Sequence, residues 1–179
     1  MREVPGDGPS AVAVLVEAVR QGDEVAFGRL YDRFAPMVHG VLLARVPAVE
    51  VDDLVQDVFL TVLRKINSLK DLEKFGGWAA MIARNRAMDF HRSKRETEEL
   101  DEAIAGPAAS DDDGEAARAL ASIKELPEAY RETLILRLVE GMTGPEIAER
   151  TGLTPASVRV NLHRGMKLLR ESLGIEERQ

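Results

Sequence analysis

The amino-acid sequence predicts an all-α protein in which two small helical domains are joined by a flexible acidic linker. Apolar residues recur at three- and four-residue spacings along most of the chain, and no segment shows the strict alternation of a strand. One central segment, residues 96–115, contains very few residues that could build a core. The 179-residue chain has no cysteine, which excludes disulfides, cysteine-ligated zinc and thiol catalysis.

The net charge of −7 lies entirely in that central segment. Residues 1–95 and residues 116–179 each carry a net charge of +1, whereas residues 96–115 carry nine acidic and no basic side chains. We therefore expect a solvated, largely disordered linker over residues 96–117. As a flexible coil it would span about 25 Å and let the domains act on separate sites. A spacer that only aids solubility fits equally well.

Capping residues and prolines delimit the first helices. Ser10 is placed to cap a helix that ends near Gly22, and Asp23 to cap a second helix, because short polar side chains accept hydrogen bonds from first-turn amides. Pro36 and Pro47 are expected to interrupt the chain that follows, since proline cannot donate a backbone hydrogen bond.

A third helix, predicted over residues 51–66, has an unusual polar face. Opposite its apolar stripe lie three acids, an amide and a leucine: Asp52, Asp53, Gln56, Asp57 and Leu60. A solvated surface is the simplest interpretation, and a divalent cation held by clustered carboxylates is a sharper one. The exposed leucine among polar neighbours favours a third interpretation, a surface that docks another protein.

A long helix predicted over about residues 75–95 has the composition of a nucleic-acid surface. Five basic side chains fall within its last twelve residues, as in phosphate-binding helices. They are Arg84, Arg86, Arg92, Lys94 and Arg95. Trp78 and Asn85 could hold an unstacked base by stacking and edge hydrogen bonds. The alternatives are a core tryptophan, a backbone-bonded asparagine, and an acid, Asp89, that pairs with Arg86 or Arg92.

Residues 143–170 predict a helix-turn-helix. Thr143 and Glu146 are spaced as a capping box, and Gly152 suits a turn that needs a positive φ. Thr154 is placed to cap the second helix, whose first position is a proline. The apolar stripe of that helix consists of Val158, Leu162, Met166, Leu169 and Leu173. Its other side is basic, which is typical of a helix that reads duplex DNA in the major groove.

Several other functions are not expected. The longest apolar run, residues 11–16, is too short for a signal peptide or a membrane span. The three histidines are scattered without metal-ligand spacing. We therefore expect a cytoplasmic protein with no membrane insertion, no cofactor or metal, no enzymatic activity and no sensing domain after Gln179.

The chain resembles the bacterial extracytoplasmic-function (ECF) sigma factors of the two-domain minimal type. The resemblance is carried by four stretches in this order: GDEVAFGRLYDRF, VDDLVQDVFLTVLR, FGGWAAMIARNRAMDFHR and LPEAYRETLILRLVEGMTGPEIAERTGLTPASVRVNLHRGMKLLR. It implies an N-terminal tail and first helix (1–20), sigma region 2 (21–95), the linker (96–117), sigma region 4 (118–173) and a C-terminal tail (174–179). It also implies an initiation factor that recruits core RNA polymerase to promoters and nucleates DNA melting.

The resemblance implies three sets of contacts and an anti-sigma partner. The face with Asp52, Asp53, Gln56, Asp57 and Leu60 would dock on the clamp helices of the largest polymerase subunit, and the flap of the second-largest subunit would hold region 4. The loop with Asn67, Lys70 and Lys74, together with Asn85 in the next helix near Trp78, would read the −10 element and capture a flipped base. The basic residues of that helix would lie along the DNA backbone near the melted region; they are Arg84, Arg86, Arg92, Lys94 and Arg95. The −35 element would be read by Thr154, Ser157, Arg159, Asn161, His163 and Arg164.

The chain departs from common family residues at three places. Arg159-Val160-Asn161 stands where Lys-Ser-Arg is common, Gly165-Met166 where Ala-Arg is frequent, and Thr143-Gly144-Pro145 where a Ser-Tyr-Glu-like start is frequent. An asparagine at 161 would favour adenine if it reaches a base edge. Gly165 costs about 0.5–1 kcal/mol of helix stability relative to alanine. We expect the −35 preference to differ from that of relatives.

Two other functions explain part of the chain. A stand-alone helix-turn-helix transcriptional regulator that does not dock on polymerase accounts for residues 118–173 but leaves the acidic face of helix 51–66 unexplained. A nuclease that uses Asp52, Asp53 and Asp57 with a divalent metal lacks a companion acidic site.

Overall fold

The computed structural model describes residues 9–100 and 115–174, which contain only helices and their connections. The α-helices of these ranges are α1 (Pro9–Arg20), α2 (Glu24–Leu43), α3 (Ala48–Lys65), α4 (Phe75–Leu100), α5 (Glu115–Glu125), α6 (Glu128–Leu138), α7 (Gly144–Thr151) and α8 (Pro155–Ser172). Two short 3-10 segments, Ile66–Ser68 and Leu72–Lys74, connect α3 to α4. The predicted all-α fold is confirmed.

Helices α1 to α4 form the N-terminal domain around an apolar core. Helix α2 lies at its centre and packs against α1, α3 and α4. Its side chains Leu30 and Met37 are fully buried. The rings of Phe34 on α2 and Phe75 on α4 meet edge-on with their centroids 4.9 Å apart. This contact fixes the start of α4 against the core.

Local signals predicted two helix boundaries of this domain correctly and two wrongly. Asp23 caps α2, accepting a hydrogen bond from a first-turn amide at 3.0 Å, and Pro47 separates α2 from α3. The cap predicted at Ser10 is wrong, because α1 begins at Pro9, whose fixed φ suits a first helical position. The break predicted at Pro36 is also wrong, because α2 continues through it. Burial of its apolar neighbours outweighs the roughly 3 kcal/mol cost of an interior proline.

Helices α5 to α8 form the C-terminal domain, in which α7 and α8 make the predicted helix-turn-helix. The capping box is present, since Glu146 Oε2 accepts a hydrogen bond from the Thr143 amide at 2.8 Å. Gly152 ends α7 with a φ of 75°. Thr154 caps α8 by accepting a hydrogen bond from the Ser157 amide at 3.1 Å. These local predictions are confirmed.

The apolar stripe of α8 is buried over most of its length. Val158 and Leu169 are buried, and Leu162 and Met166 are partly buried against the core. Leu173 is 39% exposed, so its predicted core position is wrong. It is the C-cap residue that follows α8 and lies beyond the buried part of the stripe.

The two domains pack against each other. Helix α6 lies against both α8 of its own domain and α2 of the N-terminal domain, and α7 lies on α4. Because α6 has partners on two sides, its consecutive residues Leu134, Ile135 and Leu136 are all fully buried. The buried apolar residues of both domains therefore belong to one continuous cluster.

Both ends of the predicted linker 96–117 are helical. Helix α4 extends to Leu100 instead of ending near Arg95, and α5 begins at Glu115. Glutamate, alanine and leucine, which dominate these ends, are good helix formers. The remainder of the linker prediction, residues 101–114, lies outside the described ranges.

Candidate nucleic-acid and protein interfaces

One side of α3 is exposed along its whole length. Asp52, Asp53 and Gln56 are exposed, Leu60 is 48% exposed, and Asp57 is partly buried. Leu54, Val58 and Val62 on the other side are buried. The structure therefore brings the five residues of the predicted docking face to one side of a helix that the core holds firmly.

Two exposed apolar residues extend this face and were not identified from the sequence. Val49 is 86% exposed and Leu63 is 40% exposed. With Asp53, Gln56 and Leu60 they follow a spacing of four, three, four and three residues, which aligns all five along one line of the helix. We call these five residues the α3 seam. The spacing itself was the signal that could have revealed Val49 and Leu63.

Asp57 differs from the rest of the face because it is paired within the chain. Its Oδ2 accepts hydrogen bonds from Nε and Nη2 of Arg86 on α4, at 3.1 and 2.7 Å. The pair is partly exposed and links α3 to α4. Arg86, which was predicted to bind DNA, therefore lies beside the predicted docking face. No three His, Asp or Glu side chains of the described residues converge as a metal site requires.

The connection between α3 and α4 presents three predicted DNA-binding residues. Asn67, Lys70 and Lys74 are exposed. Arg20 of α1 holds the connection in place. Its Nη2 donates hydrogen bonds to the Ile66 carbonyl at 3.0 Å and to the Leu69 carbonyl. The exposed side chains of the connection are thus mounted on a fixed backbone.

A second exposed line runs along α4. Trp78, Asn85 and Arg92 of the predicted −10 set share it with two methionines that the sequence reasoning omitted, Met81 and Met88. The methionines are 47% and 63% exposed and lie one helical turn before and after Asn85. We call these five residues the α4 seam. Its apolar groups on both sides of an amide suit a base that has left the duplex stack.

The ends of the α4 seam are anchored differently. Trp78 is partly buried, and its ring centroid lies 6.0 Å from that of Phe75, so it belongs partly to the core. Arg92 pairs with Asp89 at 2.6 Å, one of the alternatives expected from the sequence. Lys94 and Arg95 are exposed in the following turn.

Arg84 points away from the α4 seam and into the C-terminal domain. Its Nε and Nη2 donate to the two carboxylate oxygens of Glu132 at 3.1 and 2.6 Å, and Arg45 lies 2.6 Å from the same carboxylate. The hydrogen bond to Glu132 raises the pKa of Arg84 more than burial lowers it. Burial would raise the pKa of Glu132, but the two guanidinium groups lower it overall, so this 5%-exposed carboxylate stays charged.

Helix α8 presents most of its predicted −35 residues to solvent. The exposed ones are Thr154, Ser157, Arg159, His163 and Arg164. Val160, which is 43% exposed, lies among them and was not predicted as a site residue. The helix thus offers basic, hydroxyl and apolar groups on one side, as a reader of base edges requires.

Asn161 does not lie with these residues. It is partly buried, and its Nδ2 donates to Thr133 Oγ1 of α6 at 3.4 Å. It borders the cleft between the domains together with Arg84 and Glu132. This orientation removes the structural basis for the adenine preference expected from the sequence.

Comparison with known proteins agrees with this arrangement. Residues 30–97 match the family described as Sigma-70 region 2, and residues 116–169 match the family described as Sigma-70, region 4. None of the described helices is long and apolar enough to cross a membrane.

Curated sigma factors are similar over nearly the whole chain. RNA polymerase sigma factor CarQ of Myxococcus xanthus is 34% identical over 89% of this chain and 95% of its own. ECF RNA polymerase sigma factor RpoE of Cereibacter sphaeroides is 31% identical over 89% of this chain and 93% of its own.

Solved structures share the fold. CnrH in complex with the cytosolic domain of CnrY has a TM-score of 0.61 at 23% identity, covering 93% of this chain and 99% of that one. The sigma factor RpoE in complex with the anti-sigma factor NepR from Bartonella quintana has a TM-score of 0.59 at 20% identity, covering 84% and 98%. Because its identity to CarQ and RpoE extends through both sigma regions, the chain belongs to the ECF sigma factors, which bind RNA polymerase and direct promoter-specific initiation.

Proposed function

We propose that this sigma factor docks on core RNA polymerase through the α3 seam and reads promoters with two separate surfaces. The observation that carries the proposal is the α3 seam itself. Three apolar residues, 40–86% exposed, stand on one line of a helix whose opposite side is buried. Residues that alternate at spacings of four and three positions form the contact line of helices that pack side by side. The clamp helices of the largest polymerase subunit are the partner that it fits.

The docking proposal is tested by a charge placed in the centre of the α3 seam. Leu60→Asp should weaken binding to core RNA polymerase by about 2 kcal/mol, roughly thirtyfold, as expected for a central apolar contact. Val14→Asp is the matched control, because Val14 is 54% exposed on α1, outside the seam. Affinity of the full-length variants for immobilised core polymerase is the readout, with circular dichroism to verify folding. Wild-type affinity of Leu60→Asp would contradict the proposal.

Comparing Leu60→Asp with Val14→Asp tests docking more directly than a substitution at Asp57 would. Asp57 also holds Arg86, so its replacement by arginine would bring two like charges together between α3 and α4. Lost binding could then reflect a local rearrangement of the domain. Leu60 makes no such contact with α4, which keeps the interpretation direct.

For the −10 element, we propose that the α4 seam captures an unstacked base while nearby cations hold the backbone. Asn85 would hydrogen-bond the base edge, with Met81 and Met88 as apolar walls, which offsets the few kcal/mol that unstacking costs. The supporting cations are Lys70, Lys74, Arg92, Lys94 and Arg95. The ion pairs of Lys74 with Asp71 and of Arg92 with Asp89 are exposed and weak, so phosphates can replace the carboxylates there. Arg84 and Arg86 are bonded to acids in this conformation, so they would reach phosphates only after those pairs open.

For the −35 element, we propose that α8 enters the major groove. Arg159, His163 and Arg164 would supply contacts to phosphates and guanines, and Val160 could contact a thymine methyl group. The flap of the second-largest polymerase subunit would hold this domain in place. A stand-alone regulator needs only α8, and it leaves the α3 seam without a purpose.

We also propose an anti-sigma partner. The similar solved structures are complexes with the cytosolic domain of CnrY and with the anti-sigma factor NepR. Since polymerase and promoter DNA lie in the bacterial cytoplasm, the protein would act there. A partner of this kind should reduce transcription by the purified holoenzyme in proportion to its concentration. If transcription is undiminished at a saturating concentration of a candidate anti-sigma protein, that protein is not the partner.

A further inference from the structure

The methionines of this chain differ sharply in exposure. Five of the six lie in the described residues. Met81 is 47% exposed and Met88 is 63% exposed, whereas Met37 and Met142 are buried and Met166 is partly buried. Among the described residues, the two exposed methionines therefore occur together, within the α4 seam. Core packing does not account for them, because side chains this exposed gain little from burial.

Both exposed methionines stand beside the amide that is proposed to hold the extruded base. Met81 precedes Asn85 by four residues and Met88 follows it by three, so the three side chains lie on the same side of α4. The other side of the helix is anchored, since Ala83 and Ala87 are buried in the core. A chemical change in either methionine would therefore act at the proposed base-capture site without disturbing the core.

Peroxides oxidise the sulfur-containing side chains of proteins, cysteine and methionine. The chain has no cysteine, so its methionines have no thiol competitor for the oxidant. The methionine sulfur forms a bond to one peroxide oxygen as the O–O bond breaks. The thioether thereby loses two electrons and becomes a sulfoxide, while hydrogen peroxide is reduced to water. An apolar, flexible side chain becomes a polar one.

We propose that Met81 and Met88 form a peroxide-sensitive modification site that switches −10 recognition off. The inference rests on the proposed function, because it requires the α4 seam to capture an unstacked base. Sulfoxide groups on both sides of Asn85 would replace apolar contacts to the base with groups that prefer water. Capture would then no longer offset the free-energy cost of unstacking the base.

The effect would be local and reversible. The apolar members of the α3 seam are Val49, Leu60 and Leu63, which contain no sulfur, so binding to core polymerase would survive oxidation. The core would survive because Met37 and Met142 are buried away from the oxidant. Methionine sulfoxide reductases restore the thioether: the sulfoxide oxygen leaves as water, and two thiols of the reductant become a disulfide. The oxidised protein would thus occupy polymerase without melting promoters.

Oxidation of the full-length protein before it meets polymerase tests the proposal. The protein is treated with hydrogen peroxide, catalase removes the excess, and untreated core polymerase and promoter DNA are added. Fluorescence of 2-aminopurine in the −10 element reports an unstacked base, and peptide mass spectrometry locates each sulfoxide. We expect sulfoxide at Met81 and Met88 before Met37 and Met142, and about tenfold less unstacked complex. Affinity for core polymerase should be unchanged, and reductase treatment should restore the fluorescence.

Three variants separate this site from general oxidation of the protein. Met81→Leu/Met88→Leu keeps apolar side chains without sulfur, so its ratio of treated to untreated fluorescence should stay near one. Met166→Leu is the matched control, because Met166 is the most exposed methionine outside the seam among the described residues. It should lose as much fluorescence on oxidation as wild type. Met81→Gln/Met88→Gln has polar side chains of similar length and should lose base capture without any peroxide.

Full oxidation of both seam methionines with unchanged fluorescence would overturn the modification site and leave the proposed function intact. Equal sensitivity of wild type and the leucine double variant would also overturn it, because another residue would then be responsible. Wild-type capture by the glutamine double variant would do the same, because polar side chains would then suffice. If the untreated wild-type holoenzyme unstacks no base, the proposed base capture fails, and the modification site fails with it.

Discussion

Gly165 in α8 shows at the level of one residue how packing overrides helix propensity. A Cβ at this position would lie 3.1 Å from Leu134 Cδ1 and 3.2 Å from Tyr130 Cβ on α6. Leu134 is fully buried, so a shift of its side chain would disturb the surrounding core. Overpacking costs about 1–3 kcal/mol, which exceeds the gain of up to ~1 kcal/mol in helix propensity. The glycine is therefore a close-contact residue and not merely a weak point of the helix.

We accordingly expect Gly165→Ala to lower the free energy of unfolding by about 1 kcal/mol. Gly28→Ala, in a helix with open space around the new Cβ, should raise it by about 0.5–1 kcal/mol. Urea unfolding followed by circular dichroism measures both. A gain in stability at position 165 equal to that at position 28 would show that α6 and α8 do not pack this closely.

Two neighbouring residues of α8 give a second prediction. Arg159 is exposed on the proposed DNA side, whereas Asn161 faces Thr133. Arg159→Ala should weaken or redirect −35 recognition by about 1–3 kcal/mol, roughly five- to 150-fold. Asn161→Ala should leave the promoter preference unchanged within about twofold, since it loses no base contact. Transcription from a library of promoters that differ in the −35 element measures the effect of each variant. A larger effect of Asn161→Ala than of Arg159→Ala would place the DNA on another side of α8.

At the level of the element, the start of α7 depends on its capping box. Thr143→Ala should lower the free energy of unfolding by about 1 kcal/mol, and Thr143→Ser should have little effect, because serine is an equivalent cap. The Thr143 amide also donates to Glu146 and lowers the pKa of that carboxylate. Chemical denaturation of the three proteins checks the prediction, and equal stability of the alanine and serine variants would count against it.

The ends of helices were predictable from the sequence where the residues that form the cap lie close together along the chain. The caps at Asp23, Thr143 and Thr154 depend on partners three residues away, and all three form. Pro36 was mispredicted because the burial that keeps α2 intact comes from α1, α3 and α4, which a local rule does not include. The α3 face was predicted only in part, although the spacing that includes Val49 and Leu63 was present in the sequence.

The orientation of individual site residues was not predictable from helical spacing. Arg84 and Arg86 flank Asn85, but each turns to an acid on another helix, Glu132 and Asp57. Which acids lie nearby is decided by tertiary packing. The one available clue to the domain contact was the uninterrupted apolar run of α6.

At the level of the whole molecule, the packing of the two domains against each other should depend on pH. His39 of α2 lies 2.6 Å from Glu140 of the C-terminal domain. That hydrogen bond raises the pKa of His39 above its ordinary 6.5 more than burial lowers it, and the charges of Glu140 and Asp52 raise it further. Protonated His39 therefore favours the packed arrangement of the two domains. This contribution is complete below about pH 6.5 and is lost as the pH rises through the raised pKa.

Small-angle X-ray scattering from pH 6 to pH 8.5 should show the radius of gyration of the wild-type protein increasing as the pH rises, because the contact between the domains weakens. His39→Gln should remove this part of the pH dependence, because glutamine does not titrate. The charged groups that face His39, Glu140 and Asp52, are unchanged in that variant. A pH profile identical in the two proteins would show that the His39–Glu140 contact does not influence the packing of the domains.

Transcription from purified components tests most directly whether the α3 seam brings this protein's promoter recognition to RNA polymerase. Core RNA polymerase is combined with the wild-type protein, Leu60→Asp or Val14→Asp on a promoter library, and the transcripts are sequenced. We predict promoter-specific transcripts with wild type and Val14→Asp and their loss with Leu60→Asp. Tight binding to duplex DNA without any specific transcript would contradict the assignment and favour a stand-alone regulator.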